Sequence, residues 1–272
     1  HSDRTPQAPQ SATLSVLIVA QDCAEAITAT LASVAFADEI VVVDGGSTDA
    51  TCEVARRMGA RVVVNPWPGY GEQFRFATEQ ATGDWVFRVD TDEVVSPELR
   101  TQIEAMLLRP DAPEVAWWVS RPTVFLGRML RHGGDYPAWT LRLWRRGGAS
   151  FTTPLIDELL VPHDPDAKTA RLAGHLYHHA WASLDDLVVK LVKASDLRAR
   201  QAVEQGRLRR SPGLALALAF PRKFGEVYLY KQGWRDGLPG LIAATCKSFG
   251  VFLREARLCL HQVPPNDRMP GG

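Results

Sequence analysis

The hydrophobic positions change their period along the first ninety residues of the chain. Continuous apolar runs, typical of buried strands, cover residues 14–20, 39–43, 61–64 and 85–89. Between them, apolar residues recur at helical spacing over residues 24–34, 51–58 and 72–81. Strands that alternate with helices in this way predict an α/β fold, a parallel sheet with helices on both of its faces.

The pattern changes after residue 115. Short strands are predicted at 116–120 and 140–144, the second with Arg142 between two leucines. Long helices are predicted over residues 183–205 and 238–260. We therefore expect a loose tail over residues 1–12, an α/β domain over residues 13–182, and a helical, basic region over residues 183–272.

The formal net charge is zero, but the charges are divided unevenly along the chain. Residues 1–120 contain 8 Lys and Arg against 18 Asp and Glu, whereas residues 121–272 contain 23 against 13. An acidic first half suits a site for divalent cations, and a basic second half suits an anionic partner or surface. A chance division of solvated charge is the alternative. The four cysteines show no CxxC spacing, which predicts reduced thiols and a cytosolic protein.

Acidic residues follow two of the predicted strands directly. Asp44 comes after the second strand, and Asp90, Asp92 and Glu93 come at the end of the fourth. In such a sheet these positions share the carboxyl edge, where ligands bind. Asp92 and Glu93 are also placed to act as negative charges near the start of the next helix, but one carboxylate suffices for that role. The group therefore favours a divalent cation that neutralises the diphosphate of a nucleotide-sugar.

The residues after Asp44 predict a tight, glycine-rich turn. Gly45 and Gly46 allow the backbone to approach a ligand closely, and Ser47 or Thr48 can cap the helix that follows. A carboxylate at Asp44 is able to accept a hydrogen bond from a uracil N–H. The alternative is a plain strand-turn-helix connection.

Five segments, in this order, resemble the family-2 glycosyltransferases: SVLIVAQD, EIVVVDGGSTDAT, ARVVVNPWPGYGEQ, ATGDWVFRVDTDEVVSPEL and YPAWTLRLWRRG. With GWRDGLPGLIAA near the C-terminus, the chain is most similar to the lipopolysaccharide-core β-glucosyltransferase-type group. The resemblance extends over residues 13–260. It implies a GT-A fold, a UDP-sugar donor, Mg²⁺ or Mn²⁺ as the cofactor, and inversion at the anomeric carbon.

The resemblance also implies roles for residues at the predicted edge. Asp44, with Gly45 beside it, would contact the uracil. Asp90 would contact the ribose or the metal, and Asp92 would ligate the metal.

An inverting transfer needs a general base within hydrogen-bond reach of the acceptor hydroxyl. The family has a Glu, usually preceded by His, after the strand that corresponds to residues 140–144. Glu158 matches that Glu and is the candidate base, and Asp157, which stands where the family has His, is the second candidate.

The chain departs from the family at two further places. Residues 20–23, Ala-Gln-Asp-Cys, replace the usual Thr-Lys-Asn-Glu, and Phe74-Arg75 replace Lys-Asn. Arg75 still offers a cation to the donor phosphate. Arg142 offers a guanidinium to the diphosphate or to the acceptor, and a solvated strand face is the alternative for it.

The block at residues 207–223, RLRRSPGLALALAFPRK, places cations on both sides of a short apolar run. This pattern favours a segment that lies in an anionic membrane interface, and a buried core helix with basic flanks is the alternative. We therefore expect a peripheral protein on the inner face of the cytoplasmic membrane. Its acceptor would be a phosphorylated glycolipid or lipid-linked glycan, and no nucleic-acid partner is expected.

The cluster of histidines between His175 and His179 is compatible with zinc, but no fourth ligand stands at metal spacing, so structural or acceptor-side histidines are favoured. Other classes of protein fit less well. A nicotinamide dehydrogenase needs GxGxxG after the first strand, and the chain lacks it. A sugar nucleotidyltransferase and a non-catalytic protein that binds nucleotide-sugars remain as alternatives to a glycosyltransferase that favours glucose.

Overall fold

The computed structural model describes residues 11–109, 111–153, 158–181, 183–209 and 211–262. These residues fall into two compact units. The first comprises residues 11–122, 138–153 and 158–179, and the second comprises residues 123–137 and 180–262. The boundary expected at residue 182 stays a prediction.

The strands in the described residues are β1 Leu14–Ala20, β2 Glu39–Asp44, β3 Arg61–Val64, β4 Trp85–Arg88, β5 Glu93–Val95, β6 Ala116–Ser120, β7 Val124–Phe125, β8 Arg128–Met129, β9 Trp139–Arg145, β10 Ala149–Phe151, β11 Leu160–Pro162 and β12 Thr169–His178. The α-helices are α1 Ala26–Ser33, α2 Thr51–Arg57, α3 Tyr70–Gln80, α4 Pro97–Leu107, α5 Leu184–Glu204, α6 Pro212–Phe224 and α7 Gly237–Gln262. A π-helical turn, Gly225–Tyr230, and a 3₁₀ turn, Gly233–Asp236, join α6 to α7.

The first unit is built on an eight-stranded sheet with the order β3-β2-β1-β4-β9-β6-β12-β5. The strands β1 to β4 are parallel, as predicted. Strand β9 lies antiparallel between β4 and β6, and β12 is parallel to β6 but antiparallel to β5. The sheet is therefore mixed as a whole.

Helices cover both faces of this sheet, which confirms the α/β prediction. On one face, Val16 of β1 belongs to the same buried cluster as Ile27 of α1 and Ile103 of α4. On the other face, Leu17 packs in a cluster with Phe74 of α3. Because successive side chains of β1 point to opposite faces, its continuous apolar run is explained by burial on both sides.

Glu93 does not take the alternative role of a negative charge near a helix start. It begins the short strand β5 and is fully buried. The helix α4 is instead capped by Ser96, whose Oγ accepts from the Leu99 N–H at 3.1 Å, and Glu98 is the acid in its first turn. A buried carboxylate needs a cationic partner, and Glu93 finds its partners in the site described below.

In the second unit, α5, α6 and α7 pack together, and Leu187 of α5 shares a small core with Phe125, Leu130 and Ala243. The apolar run of α6 is not buried on every face of the helix. Leu214 is 62% exposed and Leu218 is 51% exposed. None of the helices in the described residues combines the length and apolar content required to cross a membrane.

Candidate active site

Three arginines and three carboxylates form an ion-pair cluster beyond the carboxyl end of β4; its members are Arg88, Arg121, Arg142, Asp90, Glu93 and Glu158. Each belongs to the first unit. The inner part of the cluster is closed to solvent, since Glu93 is fully buried and the Arg142 side chain is 6% exposed, whereas Asp90 and Arg121 remain 23% and 22% exposed. Its positive and negative charges are equal in number, which is the condition under which buried ions are tolerated.

Asp90 lies at the centre of the cluster. Its Oδ2 accepts from Arg142 Nη2 at 3.0 Å, its Oδ1 accepts from Arg88 Nε at 3.0 Å, and Arg121 Nη2 lies 3.6 Å from Oδ2. Burial alone would raise the pKa of the Asp90 carboxyl, but the charges of these arginines outweigh it and hold that pKa well below its usual range. Asp90 is therefore ionised and firmly oriented.

Arg142 is held by two carboxylates. Its Nη2 donates to Asp90 and, at 2.8 Å, to Glu93, and Glu93 also pairs with Arg121. The expected alternative of a solvated strand face is wrong, because the residue is 5% exposed. Arg142 Nη1 is buried and has no hydrogen-bond partner in the described part of the chain. A direct contact between Arg142 and a diphosphate stays a prediction.

Arg88 joins Asp90 to the candidate base. Its Nη2 lies 2.6 Å from Glu158 Oε1, and the two side chains are only 12% and 9% exposed. The guanidinium carbon lies 3.6 Å from the centre of the Phe74 ring, a cation–π contact that fixes the plane of the guanidinium. Phe74, which departs from the family pattern, thus becomes the support for the arginine that holds Glu158.

Asp92 faces a different partner, His178. The His178 Nε2 lies 3.5 Å from Asp92 Oδ2, and the backbone carbonyl of Asp92 accepts from the His179 N–H at 2.8 Å. Burial alone would raise the pKa of the Asp92 carboxyl, but interaction with His178 outweighs it and the pKa lies below its usual value. The antiparallel pairing of β12 with β5, which sets His178 opposite Glu93, brings these two side chains together.

Asp92 and His178 fit a divalent cation. Their separation of 3.5 Å is long for a hydrogen bond, but it suits two atoms that each lie about 2.1 Å from one metal ion. Among the residues that the structure describes, no group of three or more His, Cys, Asp or Glu side chains is arranged for a metal. A pair of protein ligands is sufficient where substrate phosphates and water complete the coordination.

The turn after β2 is organised by Asp44. Its carboxylate accepts from the Gly46 N–H at 2.9 Å, from the Ser47 N–H at 2.8 Å, and from the Ser47 hydroxyl. Burial alone would raise the pKa of the Asp44 carboxyl. The hydrogen bonds outweigh this effect, and the pKa lies below its usual value. Asp22, one of the departures at residues 20–23, accepts from the Thr48 N–H at 2.7 Å and so fixes the same turn from the end of β1.

Gly45 is required by an aromatic neighbour. A Cβ at this position would lie 2.8 Å from Trp67 Cε3, so a larger residue would displace the indole ring. Trp67 contacts Tyr70 edge to face, with ring centres 4.9 Å apart. Burial raises the pKa of the Tyr70 hydroxyl, and the charges of Glu158, Asp90 and Asp92 add to the rise. The two aromatic residues therefore border the site.

Two predicted residues are not part of this arrangement. The Arg75 side chain is 52% exposed and pairs with Glu72 on its own helix at 3.4 Å; no contact in the described residues joins it to Asp90. Asp157 lies outside the described residues. Sequence analysis missed the ion pair of Arg88 with Glu158, those of Arg121, and the approach of His178 to Asp92, because each joins distant segments and has no local signal.

Comparison with known proteins identifies the family. The model of the family described as "Glycosyl transferase family 2" matches residues 15–158, which is more than half of the chain. The chain therefore belongs to this family. The lipopolysaccharide core biosynthesis glycosyltransferase LpsC of Rhizobium meliloti is 32% identical over 226 residues, covering 81% of this chain and 82% of that protein. An uncharacterized glycosyltransferase of Rickettsia typhi is 29% identical, with coverages of 81% and 77%. The protein is thus a glycosyltransferase, and its sheet is of the GT-A type.

Solved structures resemble the chain more distantly. Glucosyl-3-phosphoglycerate synthase of Mycobacterium tuberculosis, in complex with Mn²⁺, UDP-glucose and phosphoglyceric acid, is 27% identical with a TM-score of 0.36, covering 41% of this chain and 44% of that chain. A mannosyltransferase of Pyrobaculum calidifontis, in complex with GDP-Man and Mn²⁺, is 14% identical with a TM-score of 0.47, covering 96% and 78%. Both scores are below 0.5, so neither structure identifies the donor of this enzyme.

Proposed function

We propose that this glycosyltransferase moves a sugar, with glucose favoured, from a UDP-sugar to a hydroxyl of a lipopolysaccharide-core or lipid-linked glycan acceptor, with inversion and with a divalent metal. The observation that carries the proposal is the placement of Asp92 and His178 next to the arginine-bound Asp90 at the carboxyl edge of β4. Two candidate metal ligands, an oriented carboxylate and a candidate base then lie close together at the edge of the sheet.

The donor would lie across the turn after β2 and the end of β4. Asp44 is ionised and its carboxylate is oriented by the hydrogen bonds of its own turn, so it would offer a fixed acceptor to a uracil N–H. Trp67 offers a half-buried aromatic surface next to Gly45. Asp90, held by arginines, would accept from the ribose hydroxyls.

The metal would be held by Asp92 and His178. A set of one carboxylate and one imidazole favours Mn²⁺ over Mg²⁺, because Mg²⁺ is bound mainly through oxygen. When bound, the metal supplies positive charge that offsets the charge on the departing diphosphate. Asp90 is a weaker candidate ligand, since both of its oxygens already accept from arginine.

Glu158 would act as the general base. Its carboxylate accepts the proton of the acceptor hydroxyl while the hydroxyl oxygen bonds to the anomeric carbon and the bond from that carbon to the UDP oxygen breaks. Attack from the side opposite to the diphosphate inverts the configuration. Arg88 would act as a positioning residue, because it holds Glu158 Oε1 at 2.6 Å and leaves the second oxygen for the hydroxyl.

The proposed acceptor and location are supported by features of the helical unit. Residues 180–262 carry 14 Lys and Arg against 7 Asp and Glu, and Leu214 and Leu218 of α6 present apolar side chains to solvent. Cationic and apolar groups together favour an anionic membrane surface. The similarity to LpsC, named for lipopolysaccharide core biosynthesis, supports a phosphorylated glycolipid acceptor on the cytoplasmic side.

The proposal is tested by donor turnover. Purified protein is incubated with UDP-glucose, UDP-galactose, UDP-N-acetylglucosamine and GDP-mannose, each with Mn²⁺ and with EDTA, in the presence of a lipopolysaccharide-core fraction. Metal-dependent release of UDP and labelling of the core by one UDP-sugar are expected. Turnover that is unaffected by EDTA and by Asp92→Asn would contradict the metal assignment, and turnover of GDP-mannose alone would contradict the donor assignment.

A further inference from the structure

The helical unit contains a groove between α5 and α7 that the transferase site does not use. Its volume is about 410 Å³, many times the ~10–15 Å³ that one water molecule requires. The apolar or small residues of the lining, here called the floor, are Leu187, Leu191 and Ala194 of α5 and Gly250 and Val251 of α7. Trp181 and Ser195 also line the groove. The groove is thus large enough for an organic group and is apolar at its base.

The charged side chains of the lining, here called the rim, are all cationic. Five cations form the rim: Lys190, Arg198, Lys223, Lys247 and Arg254. None of the described residues in the lining is acidic. They come from three helices, so the concentration of charge is a property of the packed unit and is not a repeat within one helix.

Carboxylates outside the lining pair with at least four of the five cations, including Arg254 with Glu255 at 2.5 Å and Lys190 with Asp186 at 3.1 Å. Lys247 Nζ contacts Asp135 Oδ2 at 2.5 Å, and Lys223 Nζ contacts Glu226 Oε2 at 3.0 Å. An ammonium has three donors, so one such contact orients it without using its full hydrogen-bonding capacity. The net positive charge of residues 180–262 adds to the local potential.

We propose that this groove binds the phosphate-bearing headgroup of an amphiphile, with the phosphate among the rim cations and the first carbons of the chain on the apolar floor. A free phosphate ion would leave the floor unfilled, and an uncharged lipid would make no use of the positive charge of the rim. The combination of an apolar base and an entirely cationic rim therefore selects a molecule that is both anionic and amphiphilic.

The test measures binding of dihexanoyl phosphatidic acid, below the concentration at which it forms micelles, by isothermal titration calorimetry on the full chain. Dihexanoyl phosphatidylcholine and inorganic phosphate are titrated in parallel. We expect saturable binding of the phosphatidic acid, and affinities at least tenfold lower for the other two ligands. Equal affinity for phosphatidylcholine or for inorganic phosphate would overturn the proposal, and so would the absence of saturable binding.

A matched pair of double variants separates the groove from general charge. Lys190→Gln with Arg198→Gln removes two rim cations, whereas Lys193→Gln with Arg200→Gln removes two cations of the same helix that are outside the lining. Each double variant also breaks one ion pair within α5, Lys190 with Asp186 at 3.1 Å or Arg200 with Asp196 at 2.9 Å. The first should lower the affinity at least tenfold and the second less than twofold. An equal loss in both would overturn the proposal.

The variant Ala194→Leu fills the floor without changing the charge. It should lower the affinity for phosphatidic acid, and a thermal unfolding curve checks that the fold is intact. Unchanged binding in a folded Ala194→Leu protein would contradict the placement of the chain on the floor. Because none of these measurements uses sugar transfer, their failure leaves the proposed function untouched, and a failure of transfer leaves this site untouched.

Discussion

Replacing Arg88 by lysine should impair transfer much more than donor binding. Arg88 reaches two carboxylates at once, Glu158 at 2.6 Å and Asp90 at 3.0 Å, while it stacks on Phe74. A lysine keeps the charge but cannot bond both carboxylates in one plane. Asp90 retains Arg142 at 3.0 Å, so its orientation should survive.

The magnitude follows from the burial of this pair. The Glu158 side chain is 9% exposed, and loss of a partner from a buried pair costs about 3–5 kcal/mol when the other charge is left alone. Arg88→Lys should cost less free energy than this, because the lysine keeps a positive charge beside Glu158. A general base displaced by about 1 Å costs roughly 100-fold in rate. We therefore expect kcat to fall about 100-fold, with a change in the donor KM of less than about threefold.

The assay is the initial rate of UDP release from the accepted UDP-sugar, with a lipopolysaccharide-core fraction as the acceptor. Arg100→Lys is the control, because Arg100 also pairs with a carboxylate, Glu104 at 2.8 Å, and approaches a phenyl ring, Phe36, but on an exposed helix face. In Arg88→Ala, added guanidinium should restore part of the rate and added ammonium should not. A kcat within twofold of the original enzyme, or a loss that appears wholly in the donor KM, would refute the positioning role.

Three further changes probe other parts of the account. Glu158→Gln should leave the calorimetric affinity for UDP with Mn²⁺ unchanged and lower kcat by about 100- to 10,000-fold, the effect of losing a general base; full activity would exclude it as the base. His178→Gln should weaken Mn²⁺ binding about 10- to 100-fold, as for a metal ligand or its support, and unchanged Mn²⁺ affinity would remove it from the metal site. Glu39→Gln should cost up to about 3 kcal/mol of unfolding free energy near pH 7. Burial alone would raise the pKa of Glu39, but hydrogen bonds from Ser15, Arg61 and Thr82 lower it to about 2. Its contribution is therefore present above its ordinary pKa and disappears as the pH falls towards 2, so a difference from the original protein that persists unchanged at pH 2 would contradict this.

The parts of the site that could be predicted from the sequence are those tied to strand ends. Asp44 and Asp90 follow apolar runs, and β2 and β4 flank β1 as parallel neighbours, so their common edge follows from the pattern alone. Ser96 and Pro97 likewise mark the start of α4. In each case the signal lies within a few residues of the feature that it predicts.

The remaining parts depend on pairing between distant segments. His178 reaches Asp92 only because β12 pairs antiparallel with β5, setting it opposite Glu93, and neither strand was predicted. Arg88 stands within an apolar run, and nothing near it in the sequence indicates its ion pair with Glu158. The burial of Arg142 also could not be predicted, because alternation in a strand fixes which residues share a face but not whether that face is covered.

The central claim, that the enzyme binds a uridine nucleotide through a metal at Asp92 and His178, is tested most directly by thermal unfolding with UDP. The protein is heated with UDP at ~100 times its dissociation constant, with Mn²⁺ and with EDTA, and ligand binding of this kind stabilises a fold by about 2.7 kcal/mol. The account predicts a clear rise in Tm with UDP and Mn²⁺, a much smaller rise with EDTA, and loss of the difference in Asp92→Asn. The same rise with and without metal, or no rise with any uridine nucleotide, would contradict it.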